Sequence, residues 1–212
     1  MSTTIICVGK SMSPAAGRYD SAGFDAAVNE IINSPCPPYE GKKYNPAGKT
    51  VLIAGGIPAL DTAEKALLPC HWALEPLLNE IPLRAFTDTE KSYSTRRWIR
   101  KAAAQRRRGE PRQAESLAAA QARADRLIAK IAGGDYLLIT YPEFLSVLLK
   151  RLRVHDYVVQ RTGFMSIKPM ELFVVSGKEG HCGGCQHNCF LSNPGCGVGR
   201  DKAARKGVPY TK

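Results

Sequence analysis

Residues 133–152, GGDYLLITYPEFLSVLLKRL, limit the fold more than any other stretch of the chain. Residues 136–140 form an apolar run without alternation, which is typical of a strand buried on both faces of a sheet. Pro142 follows, and proline suits the first turn of a helix because no backbone N–H is needed there. Apolar residues then recur at helical spacing at Phe144, Leu145, Leu148, Leu149 and Leu152. The stretch predicts a buried strand that turns sharply into a helix, and α/β proteins place their chemistry at such strand ends.

The chain up to residue 176 alternates between the same two patterns. Apolar, β-branched runs predict strands at residues 3–8, 50–54, 157–159 and 171–175. Apolar periodicity predicts helices at residues 24–32, 59–68 and 113–131. This order predicts an α/β fold of three layers, with a mostly parallel sheet and helices on both faces. We assign residues 1–176 to this domain, with a basic helical insertion at about 87–112, and residues 177–212 to a cysteine-rich tail.

Composition narrows the class of protein and its partners. The apolar fraction of 44% suffices for a core, and no run approaches the roughly 20 apolar residues that span a bilayer. The N-terminal MSTTIICVGK lacks the basic segment and apolar length of a signal peptide, so we expect a cytoplasmic protein without membrane contact. The net charge of +11 predicts an anionic partner, which is a nucleic acid, a phosphorylated ligand or an acidic protein. The alternative is a basic surface with no specific partner.

The insertion carries a concentration of positive charge. Residues 91–112 contain nine basic residues and one acidic residue, with Tyr93 and Trp98 among them. Cations contact phosphates while aromatic rings stack on bases, so this composition fits nucleic-acid binding. The candidate contacts are Arg96, Arg97, Arg100, Arg106, Arg107 and Arg108. The alternative is an exposed helix with a solvated face, in which Trp98 anchors the insertion to the core.

The tail carries the most specific chemical pattern in the chain. Four cysteines with the spacing C-x2-C-x3-C-x6-C fall within 15 residues, at Cys182, Cys185, Cys189 and Cys196. Four thiolates satisfy tetrahedral Zn²⁺ with no open position, which predicts a structural zinc site. His181 or His187 is an alternative fourth ligand, and an iron–sulfur cluster or a redox disulfide pair is an alternative use of the cysteines. Basic residues after Cys196 suit a nucleic-acid contact like that of a zinc knuckle.

Several segments together resemble the histidine phosphatase superfamily, which has the phosphoglycerate mutase-like fold. The best local match is PRQAESLAAAQARADRLIAKIAGGDYLLITYPEFLSVLLKRLR, which is similar to an acidic-serine helix start, long helix, strand, turn and helix of that family. The segment IPALDTAEKAL is similar to another family segment, and Leu78 and Glu80 match a common Leu-x-Glu. The resemblance covers about residues 4–175 and implies a phosphatase scaffold.

The resemblance breaks at the catalytic positions. The family's first strand ends in Arg-His-Gly, whereas this chain has Gly9 and Lys10 at the Arg and His positions. The family's second histidine is replaced by Tyr141. Phosphoryl transfer through phosphohistidine needs an imidazole nitrogen, and neither an amine nor a phenol is a ready substitute. None of His71, His155, His181 and His187 is expected at the carboxyl edge of the sheet.

These departures predict a pseudoenzyme that binds an anionic ligand, a nucleic acid or a protein partner. Lys10, Arg18 and Tyr141 are the candidate anion-binding residues at the sheet edge. The alternatives are a solvated Lys10 and a Tyr141 that packs in the core with its hydroxyl bonded. The alternative function is that of an active phosphatase or phosphomutase-like hydrolase with displaced catalytic groups, or of a redox protein that uses the tail cysteines.

Overall fold

The protein folds as an α/β structure, which this computed structural model describes for residues 2–161 and 166–177. The strands are β1 (Ser2–Cys7), β2 (Arg18–Tyr19), β3 (Thr50–Ile53), β4 (Ala73–Leu74), β5 (Tyr93–Ser94), β6 (Tyr136–Thr140), β7 (Tyr157–Arg161) and β8 (Leu172–Gly177). The helices are α1 (Ser21–Ile32), α2 (Ile57–Ala66), α3 (Thr95–Arg108), α4 (Leu117–Ile131) and α5 (Pro142–Val154), with a single 3-10 turn at Pro76–Leu78.

Six strands form one mixed sheet in the order β4-β3-β6-β1-β8-β7. Strand β6 lies between β1 and β3 and pairs in parallel with both, and β4 pairs in parallel with β3. Strand β8 runs antiparallel to both of its neighbours, β1 and β7. Five strands therefore share one direction, and the prediction of a mostly parallel sheet is confirmed.

The central strands are buried on both faces. Strand β6 has the predicted bounds, and Leu137, Leu138 and Ile139 are completely buried. Successive side chains of a strand point to opposite faces, so burial of consecutive residues requires cover on both sides of the sheet. Strand β1 has the same pattern at Ile5, Ile6 and Cys7.

Side-chain caps decide where two helices begin. Helix α1 starts three residues earlier than its apolar periodicity predicts, because the Asp20 carboxylate accepts a hydrogen bond of 2.7 Å from the Gly23 N–H. Helix α4 starts later than predicted, since Ser116 caps it by accepting from the Ala119 N–H at 3.1 Å. Residue 113, where that helix was expected to begin, instead lies in the preceding loop.

The basic insertion and the loop after β1 form a small lobe with its own core, which we call the aromatic lobe: α1, α3 and the β2–β5 pair. Trp98 of α3 is fully buried there and stacks on Phe24 with ring centroids 5.3 Å apart. Its indole N–H donates to the Tyr19 carbonyl at 2.9 Å. Trp98 is therefore a buried anchor, as the second interpretation of the insertion predicted, although the core that it joins is that of the lobe and not that of the sheet.

The boundary with the tail falls at the end of the sheet. Strand β8 extends to Gly177, two residues beyond the predicted end of that strand. The predicted zinc ligands Cys182, Cys185, Cys189 and Cys196, with His181 and His187, lie outside the described residues. Within residues 2–161 and 166–177, no helix combines the length and apolar character needed to cross a membrane.

Candidate functional site

A cavity of about 540 Å³ lies at the carboxyl ends of β1, β3 and β6. We call this cavity the cleft. Cys7, Gly55 and Tyr141 line it from the three strand ends. The carboxyl ends of parallel strands meet at one edge of a sheet, so the topology brings these distant sequence positions together. The predicted location of the functional site therefore coincides with a cavity of the size that small ligands occupy.

The aromatic lobe closes the cleft from the opposite side. Helix α3 contributes Ile99, Ala103 and Arg106, and α1 contributes Val28 and Ile32. The segment after the 3-10 turn forms a side wall with Asn79, Glu80, Ile81, Pro82 and Leu83. The cleft is thus lined both by the sheet edge and by the insertion, which sequence reasoning treated as a separate nucleic-acid surface.

Lys10 lines the cleft, but its ammonium group is occupied by the end of α1. The Lys10 Nζ donates to the Ser34 hydroxyl at 2.8 Å and to the Ile31 carbonyl at 3.2 Å. It also donates to the Ser34 carbonyl at 3.2 Å and the Pro35 carbonyl at 3.3 Å. These carbonyls lie at and just beyond the helix C-terminus, where a cation is favourable. Lys10 therefore has a structural role in addition to its position at the site.

Tyr141 also lines the cleft and is almost completely buried. Its hydroxyl donates to the Gly55 carbonyl at 2.8 Å, which ties the end of β6 to the end of β3. Burial raises the pKa of the Tyr141 phenol to about 12. The phenol therefore stays protonated at physiological pH and is a poor nucleophile, in line with the interpretation that it packs in the core with a bonded hydroxyl.

Glu80 is the buried acid of the cleft. Its Oε1 accepts from the backbone N–H groups of Ile81 at 2.8 Å and Phe144 at 3.1 Å. Its Oε2 is buried and has no hydrogen-bond partner in the part of the chain that the structure describes. Burial, more than these contacts, determines its charge and raises the pKa of the Glu80 carboxyl to about 7. Near neutral pH, Glu80 is therefore able to hold or release a proton beside the cleft.

Arg106 brings a buried guanidinium to the cleft. Its side chain is 7% exposed, and its Nη1 donates to Glu143 Oε2 at 3.2 Å. Its Nη2 donates to the Pro82 carbonyl at 3.3 Å, and its Nε is buried with no partner among the described residues. The Glu143 side chain, in contrast, is 60% exposed. A buried cation is therefore held by a carboxylate that water can reach.

The remaining predicted contacts lie elsewhere. Arg18 belongs to β2, does not line the cleft, and donates to the Ser92 carbonyl at 2.7 Å. Five of the six predicted nucleic-acid contacts are exposed on α3, namely Arg96, Arg97, Arg100, Arg107 and Arg108. Arg97 lies over the Tyr93 ring at 4.2 Å, and Arg108 pairs with Glu110 at 2.6 Å. Arg106 is the exception, because it faces the cleft.

Neither of the described histidines reaches the cleft. His71 is exposed ahead of β4, whose parallel direction places it at the opposite edge from the carboxyl ends. His155 follows α5, and its Nε2 lies 2.9 Å from Asp125 Oδ1. Across residues 2–161 and 166–177, no group of three His, Cys, Asp or Glu side chains is arranged to hold a metal ion.

Sequence reasoning missed Glu80 and Arg106 as members of the cleft. Glu80 was noted for its match to a Leu-x-Glu pattern, and Arg106 was assigned to an external surface. A signal for Arg106 was present in its spacing, since Ile99, Ala103 and Arg106 recur on one stripe of a helix. Comparison of the chain with protein-family models, curated proteins and solved structures finds no match.

Proposed function

We propose that this chain is a pseudoenzyme on a three-layer, phosphoglycerate mutase-like scaffold that binds an anionic ligand in the cleft. The observation that carries the proposal is Arg106, a buried guanidinium at the cleft whose carboxylate partner is the exposed Glu143. An incoming phosphate or carboxylate replaces Glu143 on Arg106 and forms charge-assisted hydrogen bonds there. The Glu143 carboxylate marks the position at which the ligand's anionic group binds.

Two helix N-termini add positive potential at the same place. Helix α2 begins after Gly56 and α5 begins after Tyr141, and neither cap residue accepts a side-chain hydrogen bond from the first N–H groups of its helix. Both cap residues line the cleft. The N-terminus of a helix favours an anion because its first N–H groups lack intrahelical partners and the helix dipole is positive there. Arg106 and the N-terminus of α2 favour a negatively charged ligand, whereas in α5 the Phe144 N–H already donates to Glu80.

The same surroundings argue against phosphoryl transfer. None of the described residues lining the cleft is a histidine. The Lys10 amine is engaged by four oxygen atoms, and the Tyr141 phenol is held protonated. A protonated phenol is a weak nucleophile, and the Lys10 Nζ is directed at the end of α1, so neither group is activated for attack on a phosphoryl group.

Binding is tested by calorimetry with inorganic phosphate and 4-nitrophenyl phosphate. We expect Arg106→Met to weaken binding about tenfold or more, because hydrogen bonds to charged groups contribute about 1.5–3 kcal/mol. We expect Glu143→Gln to strengthen binding, by up to about fivefold, since it removes the competing carboxylate of a partly exposed pair. Arg107→Met is the matched control, because Arg107 is exposed on the same helix. Equal affinities for the wild type, Arg106→Met and Glu143→Gln would contradict the proposal.

Turnover is tested with the same 4-nitrophenyl phosphate. We expect the wild type to release 4-nitrophenol no faster than the Tyr141→Phe and Glu80→Gln variants do. Hydrolysis that either substitution abolishes would show that the chain is an enzyme after all. In that case Glu80, with a pKa of about 7, is the residue best suited to act as the proton donor.

A second candidate function is nucleic-acid binding on the outer surface of α3. Six positions of this helix are exposed, and all six are cationic: Arg96, Arg97, Arg100, Lys101, Arg107 and Arg108. If α3 contacts several phosphates, its affinity for duplex DNA falls as the salt concentration rises. The logarithm of the binding constant, plotted against the logarithm of the salt concentration, then has a slope of about −0.9 for each phosphate contacted. Replacing Arg96, Arg100 and Arg107 together by Gln should remove most of this slope. The control variant removes the same amount of charge from α4 and α5, at Arg126, Lys150 and Arg153. If the α3 variant and the control variant have equal salt slopes, α3 is not the DNA-binding surface.

The metal part of the proposal rests on the spacing of the tail cysteines. Cys182, Cys185, Cys189 and Cys196 are proposed to hold structural Zn²⁺, with an iron–sulfur cluster as the alternative. Metal analysis of the full chain should find about one zinc ion per molecule and no visible absorbance. If the protein is coloured and contains iron, the iron–sulfur cluster is the correct assignment and zinc is not. A protein that contains neither metal would remove both assignments.

A further inference from the structure

Partly exposed apolar side chains converge on the cleft from five separate segments. Met12 follows β1, Ile32 ends α1, Leu83 lies in the side wall and Ile167 lies before β8, while Ile99 and Ala103 belong to α3. Each keeps part of its surface accessible although the lobe and the body bury large apolar residues nearby. A concave site lined mainly by apolar groups with a few polar groups is typical of a small-ligand site.

Helix α3 orders these groups along its length. Its outer face is cationic, whereas Trp98 and Ala102 are buried. The stripe that lines the cleft runs from Ile99 through Ala103 to Arg106, and therefore ends at the buried guanidinium. At a rise of 1.5 Å per residue, this stripe is about 10 Å long. The stripe thus leads to the proposed anion position, and its apolar part, from Ile99 to Ala103, covers about 6 Å of this length.

We propose that the ligand is amphiphilic: a phosphate or carboxylate carrying an unbranched or ring-shaped apolar body about 6 Å long. The anionic group binds Arg106 and the apolar body lies along Ile99 and Ala103. This inference rests on the proposed anion binding at Arg106, and it adds the chemical class of the ligand. The cleft volume of about 540 Å³ fits one such molecule.

Calorimetry with inorganic phosphate, ethyl phosphate and hexyl phosphate, each as a monomer in solution, tests the inference. A buried methylene group raises affinity by up to about fourfold. We expect hexyl phosphate to bind the wild type at least tenfold more tightly than inorganic phosphate does. Burial of the whole hexyl chain would raise the affinity by more than this. Ethyl phosphate should have an intermediate affinity.

The matched variants are Ala103→Leu and Ala104→Leu. Ala103 lines the cleft, whereas its neighbour Ala104 is also partly exposed but does not line it. We expect Ala103→Leu to abolish the preference for hexyl phosphate over inorganic phosphate, because the larger side chain fills the apolar strip. Ala104→Leu should retain the preference. Thermal unfolding of both variants verifies that each one is folded.

The outcomes separate this inference from the function on which it rests. If all three phosphates bind the wild type with equal affinity and Arg106→Met weakens them, anion binding stands and the amphiphilic ligand is excluded. If none of them binds, both are excluded. If hexyl phosphate is preferred but Ala103→Leu retains the preference, the apolar body does not lie along α3 and the inference is wrong.

Discussion

Glu80 gives the protein a specific dependence on pH. The pKa of its carboxyl rises from 4.5 to about 7, because burial opposes the ionised form more strongly than two backbone N–H groups favour it. A carboxyl with a raised pKa in the folded state binds its proton more tightly there than in the unfolded chain. Its contribution to stability is therefore complete below pH 4.5 and is lost as pH rises through about 7.

Glu80→Gln should become more stable relative to the wild type as the pH rises across this range. The neutral amide keeps an oxygen for the Ile81 and Phe144 N–H groups and never ionises. We expect the variant to gain stability relative to the wild type between pH 5 and pH 8, by an amount on the order of 3 kcal/mol at most. Urea denaturation of both proteins at the two pH values measures the difference. If the difference in unfolding free energy between the two proteins does not change with pH, Glu80 is ionised in the folded protein at both pH values.

Gly56 allows the contact between the ends of β3 and β6. Its φ of 98° disfavours any side chain, and a Cβ there would lie 2.7 Å from the Tyr141 hydroxyl. Gly133 has a φ of 85° but has no atom within 4 Å of its Cβ position, which makes it the matched control. We expect Gly133→Ala to cost roughly 1–2 kcal/mol from the backbone alone. Gly56→Ala should cost about 1 kcal/mol more in urea denaturation, since the Tyr141–Gly55 hydrogen bond must break as well.

At the scale of elements, α3 has three functions on three faces. One face is cationic and exposed, one packs in the aromatic lobe, and one lines the cleft. The lobe depends on Trp98, which packs against Phe24, Phe86 and Tyr93. The position of Arg106 depends on this packing, because the same helix carries both residues.

Trp98→Ala should therefore weaken both stability and ligand binding. Loss of a fully buried indole costs about 3–5 kcal/mol. Trp98→Phe keeps an aromatic ring and loses mainly the hydrogen bond to Tyr19, so it should cost about 1–2 kcal/mol beyond the change in volume. Urea denaturation measures both values, and phosphate calorimetry measures whether the cleft is retained. A cost for Trp98→Ala below about 1 kcal/mol would mean that the lobe is not tightly packed.

At the scale of the whole molecule, the last strand of the sheet in the described residues, β8, ends at Gly177. Residues 2–161 and 166–177 already form a six-stranded sheet with a buried core. We therefore expect a protein ending at Gly177 to fold, with an unfolding free energy within about 1 kcal/mol of that of the full chain. Urea denaturation and circular dichroism of the two proteins test this expectation. A truncated chain that fails to fold would show that the tail belongs to the core.

Part of this architecture is determined locally and follows from the sequence. Residues 136–140 can bury every side chain only between two covered faces, so β6 and its neighbours follow from hydrophobicity alone. The sharp turn at Pro142 follows from the missing N–H of proline. The carboxyl edge as the location of the cleft follows from the parallel order of the strands.

The charges of the cleft, in contrast, depend on residues far away in the chain. Arg106 and Arg107 are chemically identical neighbours, yet one is buried against Glu143 and the other is exposed. Lys10 lies at the predicted edge, but the end of α1 supplies the oxygens that occupy it. Only tertiary packing decides which charged group is enclosed and which atoms surround it, because the free energy of a charge depends on everything within a few ångströms and not on its sequence neighbours.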